Sequence, residues 1–279
     1  MKILVTGGGG QLARAIARTW REDEIILLDR HQLDLGKEGD AGKALESHRP
    51  DVVVNAGAHT QVDLCESEPD RARLLNATGV SWLAEACADH QCLLIQISTD
   101  YVFDGCASRP YREDDPTSPM SVYGRTKLEG EQEALKAPKH LIIRTSWLYD
   151  AWGKNFLLTM LSLARQGKAL RVVDDQHGAP TSCRALVRQL RQAVKDDWRG
   201  LVNATCDGET TWHGFAAAIF EEAGLKVDLS PCSTDEFPRP AKRPAYSVLS
   251  PAKRGELGSD VMPHWREGLL EVMGDLEGI

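Results

Sequence analysis

Lys2-Ile-Leu-Val-Thr-Gly-Gly-Gly-Gly-Gln-Leu-Ala13 is the stretch whose reading decides the fold. Lys2 to Thr6 is a short run rich in β-branched residues, and it stops at four consecutive glycines. Leu12, Ala13, Ile16, Ala17 and Trp20 then recur at helical spacing, so the pattern is strand, glycine turn, helix. Two registers overlap in the turn. One is Gly7-x-x-Gly10-x-x-Ala13; the other, Gly8-x-Gly10-x-x-Ala13, is the dinucleotide fingerprint with its permitted final alanine. Small residues are needed there so that backbone N–H groups at a helix N-terminus can approach a pyrophosphate. The alternative, an ordinary flexible turn, does not require the flanking strand and helix. About twenty residues on, a second strand, Glu24 to Asp29, ends in a carboxylate placed to meet adenosine ribose hydroxyls. Arg30 follows and suits a 2′-phosphate instead. The pair leaves NADH and NADPH both open, with a solvated strand end as the plain alternative.

Working onward, Lys37 to His48 reads as a helix and Asp51 to Asn55 as a third strand. Asn55-Ala-Gly-Ala-His-Thr60 then lies at a strand's C-terminal end, where ligands sit in open α/β sheets. His59 reads either as a base or as a cofactor-lining or surface imidazole. Asp34-Leu35 reads as closing over an adenine or as a simple turn. Val62 and Asp63 come next, toward the substrate side. A long helix is expected over Pro69 to His90 and a fourth strand over Leu93 to Ile97, leading into Ser98-Thr-Asp-Tyr-Val-Phe-Asp-Gly105. Ser118-Pro119 resembles a helix cap and first helical residue. Beyond it stands Ser121-Val-Tyr-Gly-Arg-Thr-Lys-Leu-Glu-Gly-Glu131, with Tyr123 and Lys127 four apart on one helical face. An ammonium beside a phenol lowers the phenol pKa toward the range of a useful general acid. Thr99 is the natural third member, because a short hydroxyl can hydrogen-bond a reacting oxygen. By itself Tyr-x-x-x-Lys is a frequent pattern on solvated helices.

Composition narrows the function classes. The chain has 279 residues, 42% of them hydrophobic, with a net charge of −8. Charges of both signs are dispersed, which argues against nucleic acid as a partner. Cysteines at 65, 87, 92, 106, 183, 206 and 232 form no Cys-x-x-Cys pair, and the eight histidines show no metal-ligand spacing. The cysteines read as buried thiols of a reducing compartment. The apolar run before Thr6 is too short for a signal peptide and no membrane-length run occurs, so a cytoplasmic protein without membrane contact is expected.

The second half alternates less regularly. A fifth strand at Leu141 to Arg144 brings Trp147 to the sheet's C-terminal edge, either as a wall for a sugar or as core filler. Helices are expected near Asn155 to Gln166, Arg184 to Val194, Thr211 to Ala223 and Trp265 to Met273. Short strands are expected near Leu170 to Val173, Leu201 to Ala204 and Lys226 to Leu229. The proline-rich stretch Pro231 to Pro251 reads as a loop over the cleft, its Arg239, Lys242 and Arg243 facing either a diphosphate or solvent. The fold class is α/β: a doubly wound (Rossmann) parallel sheet over residues 1–150. A smaller C-terminal substrate-binding region, 151–279, sends segments back to the first.

These motifs resemble the extended short-chain dehydrogenase/reductase superfamily and, within it, the dTDP-4-dehydrorhamnose reductases. The likeness runs through Arg144-Thr-Ser-Trp-Leu-Tyr149, Asn155-Phe156, Asp175-Gln-His-Gly-Ala-Pro-Thr181 and Arg243-Pro-Ala-Tyr-Ser-Val-Leu249. Ala13 stands where a glycine is common and Gly57 where an alanine is. The resemblance implies catalysis by Thr99, Tyr123 and Lys127. It implies NADPH or NADH contacts at Gly7, Gly10, Gln11, Leu12, Asp29, Arg30, Asp34, Leu35, Ala58, His59 and Thr60, with Tyr123 and Lys127. Substrate contacts, to dTDP-4-dehydro-L-rhamnose, are implied at Thr99, Asp100, Tyr123, Lys127 and Trp147. Magnesium and a homodimer are implied for some members, but no metal ligand can be matched here. Two rival readings stay open: another nucleotide-sugar epimerase or dehydratase, and a regulatory subunit like that of methionine adenosyltransferase.

Overall fold

The computed structural model describes residues 1–276. Its main sheet holds six strands, all parallel: β1 (Lys2–Thr6), β2 (Glu24–Leu28), β3 (Val52–Asn55), β4 (Leu93–Thr99), β5 (His140–Thr145) and β10 (Gly200–Asn203). The spatial order is β10-β5-β4-β3-β1-β2. From β1 the chain first moves outward to β2, then crosses back to β3 and continues the other way. The reversal opens a crevice between the C-terminal ends of β1 and β3, the usual ligand position in such sheets.

Alternation along the strands sorts side chains into two layers. Ile3, Val5, Val52, Val54, Ile95 and Ile143 face α1 (Gln11–Thr19) and α8 (Cys183–Lys195), packing with Leu12, Ile16, Leu186 and Leu190. Leu4, Val53, Leu94 and Ile142 face the other way, toward α2 (Asp40–His48), α5 (Gly79–Asp89) and α6 (Val122–Ala134). Both faces being covered explains the nearly unbroken apolar runs of these strands.

The smaller region has its own core, in which α7 (Phe156–Arg165), α9 (Trp212–Glu222) and α10 (Trp265–Gly274) meet through Leu157, Met160, Phe215, Ile219 and Leu269. Three two-stranded pieces border it: β7 (Leu170–Val173) with β12 (Leu229–Cys232), β6 (Leu148–Tyr149) with β9 (Thr181–Ser182), and β8 (His177–Gly178) with β11 (Thr210–Thr211). Strand β10 and helix α8, both beyond residue 150, belong to the large sheet and its covering layer.

Several expectations need correction. The helix expected over Pro69 to His90 is α4 (Pro69–Arg73) and α5 joined by a π-helical turn, Leu74–Thr78. Backbone angles stay right-handed through both junctions. A separate short helix, α3 (Val62–Ser67), precedes it. Ser118 is not the cap of α6: its N–H donates to Val102 O at 3.0 Å. Ser121 caps instead, accepting from Gly124 N at 3.1 Å, because its extended backbone aims the hydroxyl at the first turn. Strand β12 lies three residues later than Lys226 to Leu229, its register set by Leu229 opposite Leu170 and by the buried Cys232. Pro231 is tolerated there because the strand is an edge. Six of the cysteines are buried, whereas Cys106 is exposed.

Helix α6 approaches its neighbours unusually closely. A Cβ on Gly130 would collide with the Asn76 carbonyl oxygen in the π turn, and one on Gly124 with the Tyr101 carbonyl oxygen. Gly130→Ala should therefore cost about 1–3 kcal/mol in urea unfolding, through overpacking against backbone that cannot yield. Ser121→Ala should cost about 1 kcal/mol, as lost caps do. Wild-type stability in Gly130→Ala would refute the close approach.

Candidate active site

The crevice is a cleft of about 840 Å³ that runs across the ends of β1, β3, β4 and β5. At one end Gly7 turns with φ +65°, and a Cβ there would come within 2.8 Å of the Gly57 Cα. Gly10 N donates to Gly7 O at 2.7 Å, and Gly10 is the N-cap of α1. A glycine brings no side chain to cap the helix, so the first-turn N–H groups face the cleft as an anion site. Gln11 and Leu12 line the same end, and Gln11 Nε2 is tied to Leu148 O at 3.0 Å. Asp29, Arg30 and His31 follow along the rim. The Asp29 carboxylate already accepts from His31 N at 2.8 Å, which fixes the rim's turn.

Asn55, Ala56, Gly57, Ala58 and Thr60 form the middle wall. Asp34, Leu35 and His59, implied as cofactor contacts, do not line the cleft. Leu35 is buried behind Gly57, whose added Cβ would lie 2.9 Å from Leu35 Cδ1. Asp34 is engaged in its own turn, accepting from Gly36 N at 2.9 Å. His59 is buried with Nε2 3.5 Å from Glu68, while its backbone N–H donates to Asn76 Oδ1 at 2.7 Å. The π turn gives Asn76 its reach: the same side chain donates to His59 O and to Thr126 Oγ1 on α6.

Thr99, Asp100, Tyr123 and Lys127 meet at the end of β4. Lys127 Nζ donates to Ile97 O at 2.5 Å, and the side chain is 4% exposed. Burial pushes its pKa down to about 8, against the opposing pull of the Glu131 carboxylate. Loss of hydration moves Tyr123 the other way, well above the usual phenol range, with the nearby Thr99 hydroxyl opposing. This corrects the expectation that Lys127 depresses Tyr123: in this state the ammonium is spent on a backbone carbonyl and burial dominates. The Tyr123 ring stands edge-on to Tyr101, centroids 5.6 Å apart. Thr99 Oγ1 donates to Asp100 Oδ1 at 3.0 Å. Burial lifts the Asp100 carboxyl to about 6, with hydrogen bonding opposing. Asp100 Oδ2 and Thr145 Oγ1, both on the lining, have no protein partner among the described residues.

Trp147 is held at φ +48° and stacks on Trp212, ring centroids 3.6 Å apart and 7° from parallel. Both indoles line the cleft. Arg243 lines it too, its Nη2 donating to both carboxylate oxygens of Asp63 at 3.0 Å and its Nη1 to Ala241 O at 2.9 Å. Arg239 comes only within 3.9 Å of Asp63, and Lys242 is exposed. Trp212, Thr145, Asn76 and His31 are not among the site residues expected from the sequence. Only the aromatic identity of Trp212, directly after a Thr-Thr cap, hinted at a role. Among the described residues no group of three or more His, Cys, Asp or Glu stands together as a metal site.

A family described as RmlD substrate binding domain matches residues 1–277. The chain belongs to this family. It is 39% identical to the dTDP-4-dehydrorhamnose reductase of Salmonella typhimurium, covering 99% of this chain and 98% of that one. A crystal structure of a dTDP-4-dehydrorhamnose reductase from Clostridium acetobutylicum superposes with TM-score 0.97 at 42% identity, covering 99% and 100%. Another from Bacillus anthracis, in complex with NADP, gives 0.96 at 34% identity, covering 99% and 100%.

The Lys127 environment makes a measurable claim. In the ligand-free protein, the ¹³Cε resonance that disappears in Lys127→Met should titrate near pH 8, the side chain being cationic below and neutral above. A midpoint at the ordinary lysine value of about 10.4 would mean the ammonium is hydrated.

Proposed function

We propose that this protein reduces the C4 ketone of dTDP-4-dehydro-L-rhamnose to dTDP-L-rhamnose with NADPH or NADH, as an enzyme of dTDP-rhamnose biosynthesis. The observation that carries the reading is the meeting of Thr99, Tyr123 and Lys127 in one cleft with the glycine-lined N-terminus of α1. Residues 1–150 supply most of the cofactor end, and the region beyond supplies Trp147's partner and Arg243. Gly7 to Leu12 would hold the cofactor's pyrophosphate, and Ala58, Thr60 and Lys127, which line the same cleft, would hold the rest of it. Asp29 meets the adenosine ribose, and Arg30 with His31 accommodates a 2′-phosphate. The bound nicotinamide supplies the hydride.

Within the chain's own chemistry, Tyr123 donates the proton to the oxygen that becomes the alcohol. Its raised pKa suits this direction, because a reduction needs the phenol protonated at neutral pH. Thr99 and the Asp100 carboxyl orient the sugar oxygen, and Lys127 holds the nicotinamide ribose. A cofactor's negative charge favours the ammonium that burial disfavours. Trp147, braced by Trp212, presents an apolar wall to the sugar. Arg243, already oriented by Asp63, faces the diphosphate. The protein acts in the cytoplasm, and no helix of the described residues is long and apolar enough to cross a membrane. A homodimer, implied by resemblance, is checked by sedimentation.

Tyr123→Phe should lower turnover roughly 100-fold or more, as loss of a positioned proton donor does, with little change in NADPH affinity. Near-normal turnover in steady-state assays would unseat Tyr123 as the acid. Arg243→Gln should weaken dTDP binding about tenfold by calorimetry, the size expected for one charge-assisted contact, while leaving thymidine unaffected. Equal loss for both ligands would place Arg243 away from the diphosphate.

A further inference from the structure

Helix α6 carries Tyr123, Lys127 and Glu131 at four-residue steps, so the third shares the face of the first two. Glu131 lies beyond the cleft and is 4% exposed. A carboxylate at that depth is costly unless fully paired, and it is paired three ways. Arg144 Nε and Nη2 fork onto its two oxygens at 2.9 and 2.8 Å, and Ser98 Oγ donates at 2.5 Å. Arg144 is itself 3% exposed, stands opposite Ser98 in the β4–β5 register, and donates to Glu113 O at 3.3 Å.

Two consecutive residues of β4 thus hold two consecutive turns of α6. Ile97 takes Lys127 through its carbonyl, and Ser98 takes Glu131 through its hydroxyl. The next residue on β4 is Thr99. Any slide of α6 along β4 changes the placement of Lys127 and Tyr123 relative to Thr99. Apolar side chains could hold two elements together at lower desolvation cost; a carboxylate adds negative charge one turn from a buried ammonium.

We infer that Glu131, pinned by Arg144 and Ser98, is a positioning residue that sets Lys127 against Thr99 and supplies the negative charge that supports the Lys127 ammonium. The inference rests on the roles proposed above for Lys127 and Thr99. The charged and titratable groups around Lys127 are few. Tyr123 and Glu131 share its helix, Asp100 and Tyr101 follow β4, and Arg144 comes from β5. On the α3 to α5 side, Glu66 accepts from Val122 N at 2.7 Å and Arg73 pairs with Glu129 at the exposed flank. Among these, Glu131 is the group that favours the Lys127 ammonium against burial.

The test is NADPH affinity across pH, read by fluorescence without sugar, for wild type, Glu131→Gln, Arg144→Met and Ser98→Ala. Loss of the Lys127 charge gives the wild-type profile an alkaline limb. Glu131→Gln removes the supporting charge and leaves Arg144 unopposed, so the limb should move down by about one pH unit. Arg144→Met leaves Glu131 unneutralised, so the limb should move up. Ser98→Ala changes no charge and should leave the midpoint in place while lowering kcat several-fold. Opposite shifts in the two charge variants are what a merely structural bridge would not give. If Glu131→Gln and Arg144→Met fail to fold, Glu131→Asp with Ser98→Ala carries the test: kcat should fall in both, with the midpoint kept. A limb unmoved in a folded Glu131→Gln, or unchanged kcat in both conservative variants, overturns the inference alone. A wild-type profile without an alkaline limb overturns the Lys127 role and the inference with it.

Discussion

The site depends on how deeply helix α6 sits against β4 and its following turn. Gly124 and Gly130 remove the two Cβ atoms that would otherwise hold it away from the Tyr101 and Asn76 carbonyls. At that distance Lys127 reaches Ile97 O and Glu131 reaches Ser98, so the helix is fastened by polar bonds as well as by packing. The π turn at Leu74–Thr78 serves the same geometry, because it carries Asn76 to both the His59 backbone and Thr126. The wall at Ala56 to Thr60, the end of β4 and the face of α6 are therefore one connected unit. Such turns inside helices recur at functional sites.

Burial acts in opposite directions on the two groups that α6 delivers. It disfavours the charged form of each, so Lys127 falls toward neutrality while Tyr123 is kept protonated. For a reduction both consequences are coherent. A protonated phenol is ready to donate, and a lysine whose charge is weakly supported gains most from an anionic cofactor. The rest of the cleft is divided by charge: Arg30 and the open N-terminus of α1 at one end, Arg243 on Asp63 at the other, and the two stacked indoles between strand β5 and helix α9.

What could be read from the sequence was what is local. The Gly7 to Ala13 turn, the alternation of the buried strands and the four-residue spacing of Tyr123 and Lys127 are fixed by neighbours in the chain. Ser118-Pro119 misled because a serine before a proline imitates a cap and first helical residue; the choice of Ser121 depends on Ser118 bonding to Val102 across the loop. Trp212 carries little local signal because its partner Trp147 is distant in the chain and its significance lies in the stack. Glu131 reads as one more charge on a solvated helix until Arg144 and Ser98 are seen around it. The expected fall in the Tyr123 pKa failed for a related reason: spacing gives proximity to Lys127 but not the competing carbonyl or the loss of water.

The central claim is that hydride passes from reduced nicotinamide to the sugar's C4 while the protein supplies the proton. Turnover of dTDP-4-dehydro-L-rhamnose with NADPH deuterated on the transferred C4 position tests this most directly, with the product read by NMR. The account predicts one deuterium at sugar C4 for each NADPH consumed. Sugar turned over without net NADPH oxidation, or a product carrying no label at C4, would contradict it.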